Sequence, residues 1–117
     1  MAVRYFPAAR KDIKSALKWS VENFGEAASR RYKTLIGVVI AEIDADPELT
    51  HSYEIPGLQE NIRLYHLKHS RTRAAVDGQM VKKPRHFVAY MAADGHTMIV
   101  RILHERMQIT QQLKDTL

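Results

Sequence analysis

The sequence contains no cysteine, which excludes disulfide bonds and thiolate metal sites from the fold. It also lacks any apolar run approaching the roughly 20 residues that a membrane-spanning helix requires. The first residues, Met-Ala-Val-Arg-Tyr-Phe-Pro, do not form the apolar stretch of a signal peptide. We therefore expect a cytoplasmic protein that has no membrane association.

Several chemical motifs are missing as well. The five glycines are scattered singly, so there is no glycine-rich loop that could hold a phosphate group. There is no Gly-x-Ser-x-Gly motif, no His-Glu-x-x-His motif and no calcium-loop pattern. His66 and His69 lie three positions apart on a predicted strand, so their side chains face opposite ways and are poorly placed to share a metal ion. We expect neither a metal nor another cofactor.

Charge is distributed unevenly along the 117 residues, which we assign to a single domain, 1–117. Residues 1–60 contain eight Lys/Arg and nine Asp/Glu, whereas residues 61–117 contain ten and four. A one-sided basic surface attracts nucleic acid or an acidic protein. A solvated face without a specific partner would have the same composition, so charge alone leaves both interpretations open.

The first half of the chain predicts a strand and two helices. Residues 3–6 form a short apolar run that Pro7 ends. One helix face then follows from the spacing of Ile13, Leu17, Val21 and Phe24, and Gly25 is a suitable helix end. A second helix has a wide apolar stripe, formed by Ala28, Tyr32, Leu35, Ile36, Val39, Ile40 and Ile43. Because the linker between the helices is very short, they should fold back as an antiparallel hairpin.

The second half predicts strands. After a loop at 47–60, apolar and polar residues alternate from Ile62 to Leu67, with Ile62, Leu64 and His66 on one face. Two further strands, near 87–91 and 98–104, flank a turn at Asp94-Gly95. The order predicts an α+β fold: an N-terminal strand, an α-helical hairpin, then a three-stranded antiparallel meander and a short tail.

A long basic connection, residues 69–86, separates two of these strands. Its charges are Asp77 and the cations Arg71, Arg73, Lys82, Lys83 and Arg85. The strands could continue into a ribbon that turns at Asp77-Gly78. Alternatively, the segment could be a basic arm that contacts a partner, and we favour this because loops on a rigid scaffold often have that role.

The stretch "VRILHERM", residues 100–107, passes from an apolar strand directly into charged groups. His104 could act as a general acid or base, and Arg106 and Arg85 could stabilise an anionic transition state, which together could cut RNA without a metal. A histidine at a strand end can equally be a capping or solvated residue. Arg101, inside the strand, could pair with an acid or extend its head group to water.

Six stretches in order resemble the RelE/ParE superfamily of bacterial toxins, in its ParE branch. They are "PAARKDI", "WSVENFGEAASRRY", "DPEL", "PGLQENIRLYHLKHSR", "KKPRHFVAYM" and "VRILHERM", and they cover nearly the whole chain. The resemblance implies a four-stranded antiparallel sheet with an α-helical hairpin. It implies a type II toxin that inhibits DNA gyrase and is not itself an enzyme. It also implies neutralisation by a ParD-like ribbon-helix-helix antitoxin, through which alone the toxin would meet operator DNA.

Three functions stay open. The leading hypothesis is a gyrase inhibitor, the second is a metal-independent ribonuclease of the RelE kind using His104, Arg106 and Arg85, and the third is an inactive antitoxin-binding module. Because the stripe on the second helix is wide, we expect an amphipathic antitoxin segment to pack on it and to form a hetero-oligomer. The expected antitoxin contacts are Trp19, Arg30, Arg31, Tyr32 and Ile40. The expected target contacts are Arg71, Arg73, Lys82, Lys83, His104 and Arg106.

Overall fold

The computed structural model describes residues 3–58 and 61–117 and confirms the predicted α+β class. Its elements are β1 (Val3–Tyr5), α1 (Pro7–Phe24), α2 (Glu26–Ala45), β2 (Tyr53–Glu54), β3 (Arg63–His66), β4 (His86–Ala93), β5 (His96–His104) and α3 (Ile109–Thr116). A short 3₁₀ helix, Leu67–Ser70, follows β3. Within the described ranges, no helix has the combined length and apolar character that crossing a bilayer requires.

The sheet has five strands in the order β1-β5-β4-β3-β2. The three-stranded meander, β3 to β5, is antiparallel as predicted, but β1 runs parallel to β5. The sheet is therefore mixed, and the expectation of a four-stranded antiparallel sheet is wrong. The additional strand, β2, has two exposed residues and pairs with the first half of β3. Its lack of buried apolar side chains explains why the sequence pattern around it predicts only a loop.

The two long helices meet at Gly25, which ends α1 and begins α2 with φ of 88°. Residues with a side chain rarely adopt this conformation. The hairpin packs on one face of the sheet and buries the apolar stripe of α2 against Tyr65, Val88, Tyr90, Ile99 and Ile102. The stripe is therefore covered by the chain itself, and the expectation that it offers a free surface is wrong.

The opposite face of the sheet has its own apolar cluster, formed by Ile62, Leu64, Ala89, Val100 and Leu103. Leu113 of α3 is buried in this cluster, and Ile109, four residues earlier, packs beside it. The predicted tail is thus a helix that covers the second face. Ile109 and Leu113 are one helical turn apart, but two apolar positions are too few for a convincing helical pattern.

A β-bulge at Val100 explains why "VRIL" fits no simple strand pattern. Tyr90 pairs with Ile99 whereas Ala89 pairs with Arg101, so Val100 is an extra residue in β5. As a result Ile99 and Ile102, three positions apart, both pack towards the helical hairpin.

Arg101 forms an ion pair with Asp12 of α1, as one of the two predicted alternatives proposed. Its Nε lies 2.6 Å from Oδ2 of Asp12, and the same oxygen accepts the Ile102 N–H at 2.9 Å. Hydrogen bonding to Asp12 raises the pKa of Arg101. Asp12 therefore binds α1 to β5 beyond the point where the pairing of β1 and β5 stops.

The basic segment folds back on the domain instead of extending as a ribbon. Arg73 pairs with the carboxylate of Glu42 on α2 and donates to the carbonyl of His69 at 3.0 Å. Arg71 donates to the carbonyl of Lys82. The predicted turn at Asp77-Gly78 is confirmed, with φ of 51° and 76° at its two central residues. Pairing with Arg73 also lowers the pKa of Glu42.

Candidate functional site

The ends of the three central strands bring together three histidines. His86 is the first residue of β4 and pairs with His104, the last residue of β5, and their ring centroids are 5.1 Å apart. His66 ends the neighbouring strand, β3, and packs edge-on against Phe87. We call this group, with the residues that bond to it, the histidine cluster.

Tyr32 connects α2 to the histidine cluster. Its hydroxyl oxygen lies 2.6 Å from Nδ1 of His86 and accepts the N–H of Arg85 at 3.0 Å. Because the hydroxyl oxygen already accepts from Arg85, the arrangement in which the hydroxyl hydrogen also has a partner is donation to Nδ1 of His86, with the imidazole proton on Nε2. Burial lowers the pKa of His86 to about 4 and raises the pKa of Tyr32 to about 12. Both side chains are neutral at pH 7.

Glu105 connects His66 to Arg85. Its carboxylate accepts from Nε2 of His66 at 3.0 Å and from the guanidinium of Arg85 at 2.7 Å. The N–H of Lys68 donates to Nδ1 of His66, so the proton of His66 is on Nε2. Hydrogen bonds from Arg85 and His66 lower the pKa of Glu105, while burial lowers the pKa of His66. Glu105 is therefore ionised, with both oxygens engaged.

His104 is the most accessible histidine of the cluster. Its Nδ1 accepts the N–H of Arg106 at 3.1 Å, and burial, the largest cause, lowers its pKa. Neutral His104 therefore presents an N–H at Nε2. In this state the ring can donate a hydrogen bond to a partner but has no free lone pair with which to accept a proton.

Trp19, the single tryptophan, packs against four rings at the edge of the cluster. Its neighbours, at centroid distances between 5.4 and 5.9 Å, are Phe24, Tyr32, His86 and His104. The edge-to-face geometry is the favourable one for aromatic pairs. Trp19 thus connects the end of α1 with the ends of β4 and β5.

Two predicted antitoxin contacts are core residues. Tyr32 is 2% exposed and Ile40 is 8% exposed, so neither offers a surface to a partner. Arg30 and Arg31 instead line an open groove of about 430 Å³ between α2 and the turn at Asp77-Gly78. The other lining residues are Ala27, Thr34, Val76, Asp77 and Gln79. Trp19, half-buried in the cluster, does not line this groove.

The predicted target contacts fall into two groups. Arg71 and Arg73 use their guanidinium groups in bonds within the domain. Lys82, Lys83 and Arg106 are exposed and form no ion pair with any residue in 3–58 or 61–117. His104 belongs to the histidine cluster, and Arg85, predicted for catalysis, is paired there with Glu105.

Sequence reasoning missed the role of His86. Counting outward from the turn at Asp94-Gly95 pairs His86 with Leu103, and the bulge at Val100 shifts that partner to His104. It also missed the bond between His66 and Glu105, whose residues are 39 positions apart. The alternation of β3 places His66 on a known face, but no local pattern identifies its partner.

One comparison with known protein families gives a match. The family model described as "ParE toxin of type II toxin-antitoxin system, parDE" matches residues 3–109, which include β1 to β5 and both long helices. No curated protein matches the sequence significantly. The chain belongs to the ParE toxin family of type II toxin–antitoxin systems.

Proposed function

We propose that this toxin acts by inhibiting DNA gyrase, without chemistry of its own. The resemblance to ParE toxins implies that target, and the match to the ParE toxin family supports the resemblance. The observation that favours binding over catalysis is the internal use of the titratable groups in the histidine cluster. His86 bonds to Tyr32, His66 bonds to Glu105, and Nδ1 of His104 accepts a backbone N–H. A general acid or base must instead be free to exchange a proton with a substrate.

A ribonuclease of the RelE kind is the competing function. It would require His104 to act as a base, with Arg85 and Arg106 stabilising negative charge. The bond from the Arg106 N–H occupies Nδ1 of His104, and Glu105 neutralises Arg85. Arg106 alone of these three is exposed and without an ion pair among the described residues. This distribution favours contact with a target over cleavage of RNA.

The test is a parallel assay of both activities. Purified toxin is added to gyrase acting on relaxed plasmid, and separately to an end-labelled RNA. We expect supercoiling to fall with increasing toxin while the RNA stays intact. Pre-incubation with excess antitoxin should restore supercoiling, which controls for a contaminant. Cleavage of the RNA beside unimpaired supercoiling would reject gyrase inhibition and favour the ribonuclease.

We further propose that a ParD-like ribbon-helix-helix antitoxin binds the toxin in the cytoplasm as a hetero-oligomer and alone contacts operator DNA. The groove at Arg30 and Arg31 supports a contact with an acidic antitoxin segment. Two arginines without ion pairs among the described residues face a turn on which Val76 is exposed. Interfaces commonly combine arginine with apolar contact in this way.

Charge reversal tests this groove. Replacing Arg30 and Arg31 together by Glu should weaken antitoxin binding at least tenfold, because acidic partner residues would meet like charge. Lys33→Glu is the matched control, since Lys33 is an exposed cation of α2 that does not line the groove. Equal affinities of the double variant and the control, measured by calorimetry, would place the antitoxin elsewhere.

A further inference from the structure

We infer that the target is bound through an apolar and basic surface centred on Phe24. This surface consists of Val21 and Phe24 at the end of α1, the partly covered Trp19, and Arg106 and Met107 after β5. The inference rests on the proposed function, because it assigns the surface that would contact gyrase.

Exposed apolar side chains converge at this place. Phe24 is 63% exposed, the largest fraction among the exposed large hydrophobic residues in the described ranges. Val21, one turn earlier on α1, and Met107 are also in that exposed group. The ring of Trp19 contacts both Phe24 and His104 at 5.5 Å, and the N–H of Met107 bonds to the carbonyl of His104. These contacts bring the end of α1 next to the residues that follow β5.

Packing within the domain does not explain why residue 24 is a phenylalanine. It is the last residue of α1, directly before the glycine that ends the helix, and a polar side chain would suit that exposed position. In the described part of the chain, the contact with Trp19 covers only a fraction of the ring. An exposed patch of this kind marks an interaction site more often than a packing requirement.

The charges around the patch are mainly positive. Arg106 is exposed without an ion pair among the described residues, and the exposed Lys83 precedes β4. Arg85, two residues after Lys83, is paired with Glu105 and adds no net charge. The carboxylate of Glu105 lies at this end of the sheet, and both of its oxygens are bonded, one to Arg85 and the other to His66. A partner segment that fits is therefore acidic and supplies an apolar anchor.

Two further acids lie near Phe24 in sequence. Glu22 is two positions earlier on α1, and residues at that spacing do not share a helix side. Glu26 is in the first turn of α2, where the helix dipole favours a carboxylate. Neither acid therefore reverses the positive character of the surface towards β5.

The composition favours a protein over nucleic acid as the occupant. Val21 and Met107 are aliphatic and cannot stack on bases, whereas phenylalanine, tryptophan, methionine and arginine are enriched in protein interfaces. A phosphate-binding surface would instead consist mainly of cations and hydrogen-bond donors. Because gyrase is the target under the proposed function, we assign the surface to an acidic segment of that protein.

The test compares two exposed aromatic residues. Phe24→Ala removes the proposed anchor, and Tyr53→Ala removes a ring that is 49% exposed on β2. We expect Phe24→Ala to weaken binding to immobilised gyrase at least tenfold and Tyr53→Ala to change it less than twofold. Arg106→Ala should also weaken binding, with a smaller dependence on salt concentration than the unmodified toxin. Fluorescence of Trp19 and circular dichroism verify that each variant is folded.

Four results would overturn the inference. The first is a Phe24→Ala variant that binds gyrase like the unmodified toxin. The second is a Phe24→Ala variant that loses antitoxin binding while keeping gyrase binding, which would assign the surface to the antitoxin. The third is that a single-stranded oligonucleotide competes with gyrase for the toxin while an acidic peptide does not, which would assign the surface to nucleic acid. If the unmodified toxin does not bind gyrase, the proposed function fails separately. In that case growth arrest is measured at equal expression. A Phe24→Ala toxin that is as active as the unmodified toxin rejects the surface. A Phe24→Ala toxin that is tenfold less active supports the surface as the binding site for a target other than gyrase.

Discussion

The hydroxyl group of Tyr32 donates to Nδ1 of His86 across 2.6 Å and thereby joins α2 to the first residue of β4. The same oxygen accepts the N–H of Arg85 at 3.0 Å, so one hydroxyl bonds to the first residue of β4 and to the residue before it. All of these atoms lie where the helical hairpin meets the strand ends. The bond therefore fixes the position of the hairpin relative to the histidine cluster.

Replacing Tyr32 by Phe should destabilise the domain by about 1–3 kcal/mol, because it leaves a buried acceptor and a buried N–H without partners. Urea denaturation at pH 7 measures the change in the free energy of unfolding. Tyr53→Phe removes an exposed hydroxyl and should change this free energy by less than about 0.5 kcal/mol. Equal stabilities of the two variants would show that the Tyr32 hydroxyl is not an essential link.

Acid should destabilise the domain through His86. Its pKa is about 4 in the folded chain, below the ordinary value of 6.5, so the unfolded chain binds the proton more tightly. The resulting stability is present above pH 6.5 and is lost as the pH falls towards 4. Between pH 7 and pH 5 the loss is about 2 kcal/mol, since one pKa unit corresponds to about 1.4 kcal/mol.

The variant His86→Gln isolates this contribution. Burial also lowers the pKa values of His66, His69 and His104, and these groups act in the same direction. Unfolding free energies at pH 7 and pH 5 should therefore differ by less in His86→Gln than in the unmodified chain, but the difference should not vanish. An identical pH dependence in both proteins would contradict a neutral, buried His86.

Asp12→Ala should destabilise the domain by about 3–5 kcal/mol, because it leaves the guanidinium of Arg101 largely buried without its partner. The side chains of Arg101 and Asp12 are only 15% and 12% exposed. The matched control is Glu54→Ala, which breaks an ion pair with Arg63 in which Glu54 is largely exposed. This change should cost less than about 1 kcal/mol. Thermal or urea unfolding that ranks the control as the more damaging change would reject the prediction.

Toxicity should depend more on Arg106 than on His104. His104→Gln keeps a hydrogen-bonding side chain but cannot titrate near pH 7, so it should leave growth arrest largely intact. Arg106→Ala removes an exposed charge and should reduce it. Cells lacking antitoxin provide the assay, with expression and folding verified for each variant. The opposite order would favour catalysis, since loss of a general acid or base typically costs about 10²–10⁴-fold.

Local sequence patterns predict the helices and strands of this fold better than they predict which of these elements pair or pack together. The 3.6-residue spacing from Ile13 to Phe24 and the glycine after it identify α1 correctly, because each signal is contained within a few turns. The parallel pairing of β1 with β5 depends on residues more than 90 positions apart, and no local signal encodes it. The same limit explains why Ile40 was expected at a surface: its burial depends on the sheet, not on its own helix.

The candidate site was predictable only in part. His104, Arg106 and Arg85 stand out in the sequence as polar residues at strand boundaries, and all three belong to or adjoin the histidine cluster. His86 acquires its partners through the bulge at Val100 and through Tyr32, 54 positions away. The spacing of Phe24 in the sequence fits the apolar helix face, but the side chain is 63% exposed at the last position of α1.

The ion pair between Asp12 and Arg101 spans 89 positions of the sequence, and this separation constrains folding during synthesis. A ribosome completes α1 and α2 long before it makes β5, so the apolar stripe of α2 emerges without the sheet that later covers it. Neither β1 nor the N-terminal half of α1 has its partner until residues 97–102 have been translated. A nascent chain that has not yet reached β5 is thus exposed to chaperones and proteases.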